Sequence, residues 1–137
     1  METNRRHFLQ VLGSGAVVAA CSDSKMTNAP LKAMDLKAGD LKFLSNAPAI
    51  VGRDSGGLYA LSSICKHQNC DIAQGGKLLA GGIIQCGCHA SQYDANGKVK
   101  GPPSTTDLDH IELTLAADGT ISVNPSKIVP AATRTPG

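Results

Sequence analysis

Between about residues 31 and 125 the apolar positions recur every second residue, and glycine-rich turns interrupt them at short intervals. A period of two predicts strands, where a helix would repeat every three to four residues. Ala49-Ile50-Val51 and Leu58-Tyr59-Ala60-Leu61 flank Asp54-Ser55-Gly56-Gly57, and Leu78-Leu79 and Ile83-Ile84 flank Gly81-Gly82. Each reads as strand, turn, strand. Ile111, Leu113 and Leu115 alternate with polar residues until Asp118-Gly119 turns the chain into Ile121 and Val123. Asn96-Gly97 marks one more tight turn. The expected fold class is all-β, an antiparallel sandwich or small barrel with little helix.

The flanks follow different patterns. Asn4-Arg5-Arg6-His7-Phe8-Leu9-Gln10 resembles a twin-arginine export signal. The apolar stretch from Phe8 to Ala20 is interrupted by Gln10, Gly13, Ser14 and Gly15. It falls short of the roughly 18–20 apolar residues that a spanning helix needs. It ends in Val18-Ala19-Ala20-Cys21, which resembles a bacterial lipobox and would make Cys21 the lipid-bearing first residue. The resulting division is a signal peptide over 1–20, a lipid-anchored tether over 21–30, a folded domain over 31–125 and a loose tail over 126–137. The implied location is the periplasmic side, anchored to the membrane through Cys21.

Composition narrows the function. A length of 137 residues suits one domain, so no separate two-histidine, one-carboxylate oxygenase domain fits beside it. Aromatic residues make up only 3% and Trp is absent, which leaves the core to Ile, Leu, Val and Ala. Thirteen Lys and Arg against eleven Asp and Glu leave a net charge of +2, too little for the basic stripe of a nucleic-acid binder.

With Cys21 set aside, the other four cysteines fall in two short segments, Cys65-Lys66-His67-Gln68-Asn69-Cys70 and Cys86-Gly87-Cys88-His89-Ala90-Ser91-Gln92-Tyr93-Asp94. Each segment holds one closely spaced Cys and His plus a further Cys, a symmetry that suggests two loops facing one site. Structural zinc and a pair of plain disulfides are the competing readings. Zinc sites, however, generally show Cys-x-x-Cys knuckles, and Cys86-x-Cys88 is not one. His110 stands alone beside a strand and reads as a surface histidine, while His7 belongs to the signal.

Cys-x-His-x-x-Cys followed by Cys-x-Cys-His-x-Ser-x-Tyr-Asp is the pattern of the Rieske family, which this chain resembles over most of residues 41–125. The resemblance implies a 2Fe-2S cluster, with Cys65 and Cys86 on the buried iron and His67 and His89 on the outer one. It implies a Cys70–Cys88 disulfide, as in the high-potential branch, and hydroxyl donors at Ser91 and Tyr93 that tune the cluster. Gly101-Pro102-Pro103 matches the third, proline-containing loop. Lys66, Gln68 and Asn69 depart from the Thr, Leu and Gly usual around the first histidine of quinol-oxidising subunits. Gly87 stands where Pro is common and Ala90 where Gly is common. Asn69 can take the left-handed backbone of a Gly. The function implied is one-electron transfer, by a tethered periplasmic carrier or a redox subunit of a respiratory oxidoreductase. Its partners would be donor and acceptor proteins such as a c-type cytochrome or a quinol-linked enzyme. The alternative is a Rieske subunit of a cytochrome bc-type complex or the small subunit of a molybdenum oxidoreductase.

Overall fold

The computed structural model describes residues 26–66 and 68–137. The signal, Cys21 and His67 lie outside the described residues. The chain runs through β1 (Thr27–Lys32), a 3-10 turn (Ala33–Asp35), β2 (Leu41–Phe43), β3 (Ala49–Asp54), β4 (Gly57–Ser62) and a single helical turn, α1 (Ile72–Gly75). It continues through β5 (Lys77–Leu79), β6 (Ile83–Gln85), β7 (Gln92–Tyr93), β8 (Val99–Gly101), β9 (His110–Leu115) and β10 (Thr120–Val129). Every strand pairing is antiparallel, as the period of two predicts. Among the described residues no helix is long and apolar enough to cross a membrane.

Among the described residues two sheets result: a base of six strands in the order β1-β10-β9-β4-β3-β2, and a smaller sheet, β5-β6-β7-β8. β4 and β9 are neighbours in the base, with Ala60 opposite Ile111 and Leu61 opposite His110. The intervening chain, with the small sheet and both Cys/His segments, therefore leaves and re-enters the base at one place.

The three predicted hairpins form. Asp54 pairs with Gly57, Leu79 with Ile83, and Leu115 with Ile121 across their turns. Asn96-Gly97 also turns as expected, because Gly97 takes a φ of 82° that residues with a Cβ rarely adopt.

The base sheet is covered on both faces. Ala49, Val51, Leu58 and Ala60 pack into one cluster with Ile111, Ile121 and Val123. The alternate residues Ile50, Tyr59 and Leu61 pack into a second with Ile72, Ile84, Tyr93, Cys65 and Cys86. The second core joins the small sheet to the base, and it contains the two cysteines that open the Cys/His segments.

Three sequence expectations change. Thr27–Lys32, assigned to the tether and the first residues of the domain, is the edge strand of the base, with Thr27 opposite Val123 and Ala29 buried. The segment after residue 125 is ordered: β10 continues to Val129 past a register shift between Asn124 and Ile128, and Thr135 exchanges both backbone hydrogen bonds with Leu58 at 2.8 Å. Proline and the irregularity break the alternation that would have announced a strand. Arg134 then lies 4.3 Å over the Tyr59 ring and pairs with Asp54 at 2.8 Å. Finally, His110 is only 4% exposed, because it opens β9 beneath the Asn96 turn and meets the Asn96 carbonyl through Nε2 at 2.9 Å.

Candidate metal centre

The two Cys/His segments fold into the same turn. The N–H of Cys65 donates to the Cys70 carbonyl and that of Cys86 to the Ser91 carbonyl, five residues on in each case. The carbonyl of Cys65 accepts from Asn69 and that of Cys86 from Ala90, four residues on. Asn69 and Ala90 are the non-glycine residues with positive φ among those described, at 58° and 61°. The two segments thus share a backbone conformation that aligns Cys65 with Cys86 and Asn69 with Ala90. Asn adopts it readily, whereas Ala does so at a cost of roughly 1–2 kcal/mol.

The first loop is closed at its stem. Asp71 caps α1 by accepting the Ala73 N–H at 3.0 Å and the Ser63 hydroxyl at 2.5 Å, and Ile72 N–H donates to the Ser63 carbonyl. The second loop rests on that turn. A Cβ at Gly87 would collide with the Gly75 carbonyl, so glycine is what fits there.

A disulfide joins the loops, Cys70 to Cys88, with an S–S distance of 2.05 Å and Cα atoms 6.5 Å apart. Cys65 and Cys86 carry no disulfide, and each is only 1% exposed. His89, by contrast, is exposed. The described donors are therefore sorted by depth, thiols inside and imidazole outside.

Burial, above all, and the adjacent Cys65 thiol push the Cys86 pKa up, while the backbone N–H groups of Cys88 and His89 aim at its sulfur and pull the other way. Iron would deprotonate the thiol, after which those N–H groups stabilise the thiolate. A two-iron cluster would divide its ligands in pairs, thiolates on one iron and imidazoles on the other, which the contrast between buried Cys65 and Cys86 and exposed His89 matches.

Two buried hydroxyls complete the site, at Tyr93 and Ser91. Tyr93 Oη lies 3.4 Å from Cys65 Sγ and accepts the Lys66 N–H at 3.3 Å. With an acceptor lone pair engaged, its proton is available to a thiolate at Cys65. Burial, followed by the Cys65 contact, raises the Tyr93 pKa and keeps it a donor. Ser91 Oγ likewise accepts the Ser104 N–H at 3.1 Å, leaving its proton to be given elsewhere.

Sequence reasoning missed three contributors. Ser104, just past Pro102-Pro103, orients Ser91. Lys66 holds Tyr93 through its backbone and pairs with Asp109 at 2.7 Å through its side chain. The Pro segment and Lys66 were visible as motif features. Asp109, 43 residues from Lys66, left no local signal.

The family model for the Rieske [2Fe-2S] domain matches residues 14–114. The cytochrome b6-f complex iron-sulfur subunit of Synechococcus sp. strain JA-2-3B'a(2-13) is 31% identical over 77 residues, covering 55% of this chain and 43% of that subunit. The subunit from Synechococcus sp. strain RCC307 is 39% identical over 64 residues, covering 45% and 34%. The chain thus spans less than half the length of these relatives. Among solved structures, the plasma membrane Rieske protein of Synechocystis PCC 6803 is 26% identical with a TM-score of 0.53, covering 71% of this chain and 97% of that one. The carbazole 1,9a-dioxygenase ferredoxin of Nocardioides aromaticivorans IC177 shares the fold at 21% identity, with a TM-score of 0.51 and coverage of 75% and 100%. A 2Fe-2S cluster is the cofactor of such a domain and one-electron transfer its chemistry. The chain belongs to the Rieske [2Fe-2S] domain family.

Proposed function

We propose that this Rieske electron carrier is exported by the twin-arginine route and tethered on the periplasmic side by a lipid on Cys21. Cys65 and Cys86 hold the inner iron of its cluster, and His67 and His89 hold the outer iron. The carrying observation is the contrast between two buried thiols, one from each of two matching loops, and the exposed His89 of the second loop. A bound cluster supplies a one-electron couple. Neutral imidazole leaves it less negative than four thiolates would, so the electron enters at a higher potential.

The chain's own residues do the rest. Hydroxyl protons on Ser91 and Tyr93 favour the more negative, reduced state. The apolar residues Ile72, Ile84 and Leu108 keep water from the inner side. The exposed imidazole edge shortens the path to a docked partner. Donor and acceptor are proteins such as a c-type cytochrome or a quinol-linked enzyme. The b6-f relatives favour a second reading, a redox subunit of a quinol-oxidising complex. The small-subunit role beside a molybdenum enzyme is of the same kind.

Low-temperature electron paramagnetic resonance of the reduced full chain during a redox titration tests the cluster. A Rieske signal with a midpoint in the range of about −150 to +300 mV is expected. Colourless, anaerobically prepared material without iron or acid-labile sulfide would overturn the reading. For the tether, Cys21→Ser should move the protein from the membrane to the soluble periplasmic fraction.

A further inference from the structure

Lys66 puts an ammonium-bearing residue directly between two of the proposed ligands, Cys65 and His67. Its backbone N–H contacts Tyr93 Oη, itself 3.4 Å from Cys65 Sγ, so the residue belongs to the immediate surroundings of the cluster. A positive charge there favours the reduced state and adds to the effect of the two hydroxyls. The ammonium does not stand alone, however. Nζ lies 2.7 Å from Asp109 Oδ2, with the two side chains 29% and 34% exposed. Asp109 is held in turn by the base sheet, because its carbonyl accepts the Ser62 N–H across the β4–β9 junction.

The other carboxylates of the inserted segment are occupied differently. Asp71 caps α1, Asp94 accepts from the Asn96 and Lys98 N–H groups, and Asp107 accepts from the Val99 N–H. Among the described residues only Asp109 forms an ion pair with Lys66.

We infer that Asp109 is a positioning and charge-compensating residue of the redox site, which holds Lys66 and cancels most of its pull on the cluster's potential. The inference rests on the ligand assignment above. It makes the potential of this chain a balance between hydroxyl donors, which raise it, and a compensated lysine, which contributes little. Two charges partly open to water screen each other and are screened by salt.

The test is a charge cycle read as midpoint potential on the full, cluster-loaded chain at low and high ionic strength. Asp109→Asn leaves the ammonium uncompensated and should raise the potential, so that at a fixed poise the oxidised-to-reduced ratio falls about threefold. Lys66→Gln leaves the carboxylate uncompensated and should lower the potential by a similar factor. The double variant should return near the parent, and both single shifts should shrink in high salt. Lys66→Arg keeps the charge and should leave the potential unmoved, and its contrast with the shifted Lys66→Gln carries the test if Asp109→Asn fails to assemble.

A purely structural clamp gives a different result. Both single variants would then shift the potential in the same direction, and hydrogen exchange at the Lys66 amide would speed up in each. That outcome overturns the inference, as do unmoved potentials. An absent cluster signal in the unmodified chain would instead overturn the ligand assignment, whereas an intact signal with unmoved potentials overturns the Asp109 role alone.

Discussion

Ser104 donates its backbone N–H to Ser91 Oγ at 3.1 Å, tying the segment after Pro102-Pro103 to the second Cys/His loop. Both residues are buried, Ser91 completely. The bond uses Ser91 as an acceptor and leaves its proton for the cluster. Ser91→Ala should therefore retain the cluster and lower its midpoint potential by some tens of millivolts, since about 59 mV is a tenfold shift for a one-electron couple. The variant also leaves the Ser104 N–H without its acceptor, costing roughly 1–3 kcal/mol of stability. Redox titration and thermal melting measure the two effects separately. A potential equal to the parent's would remove Ser91 from the tuning set.

Ala90 occupies the left-handed backbone that Asn69 occupies in the matching loop, at φ 61° against 58°. Its Cβ is strained there, and Gly would not be. Ala90→Gly should stabilise the protein by roughly 0.5–1 kcal/mol, after the extra freedom of glycine in the unfolded chain is counted. Denaturant melts of the two proteins decide it, and a destabilised variant would refute the strain argument.

The Cys70–Cys88 disulfide closes 18 residues between the loops. Chain entropy predicts a contribution of about 3 kcal/mol. Replacing both residues with Ala should lower stability by that order and speed loss of the cluster on dilution. Visible absorbance followed over time would show the faster loss.

His110 is buried, and burial is the main cause that lowers its pKa from the ordinary value of 6.5. The Asn96 carbonyl, Asp109 and Asp54 pull upward, while nearby Arg134 pushes downward. Among the described residues Nδ1 has no hydrogen-bond partner, and the ring packs 5.8 Å from Tyr59. A lowered pKa means that the unfolded chain binds the proton more readily than the folded one. This part of the stability is complete above pH 6.5 and is lost as the pH falls through that value toward the lower folded one. The thermal midpoint of the parent should drop more than that of His110→Gln on acidification from about pH 8 to about pH 5.5. Parallel curves would show that His110 does not contribute.

Local order was legible in the sequence wherever one short stretch carried the whole signal. The hairpins around Asp54-Gly57 and Asp118-Gly119 needed only apolar alternation and a turn dipeptide. That two loops face one site could be read from each short segment holding a close Cys and His and a further Cys, but not their shared turn, because Cys70 follows Cys65 by five residues and Cys88 follows Cys86 by two. Asn69 could be assigned its backbone from its chemistry alone.

Tertiary structure decided whatever depends on residues far apart in the chain. β3 and β4 are buried on both faces, so Ile50 and Val51 enter different cores although both are simply apolar in the sequence. His110 was misread because a lone histidine has no pattern, and only the Asn96 turn folded over β9 buries it. The final residues were misread because Pro125 and a register shift erase the period that Arg134 and Thr135 restore by docking on Tyr59 and Leu58. Asp109 meets Lys66 because antiparallel β4 and β9 bring the two ends of the insertion together. Sequence spacing reports only neighbours within a few residues, and that pairing spans an entire sheet.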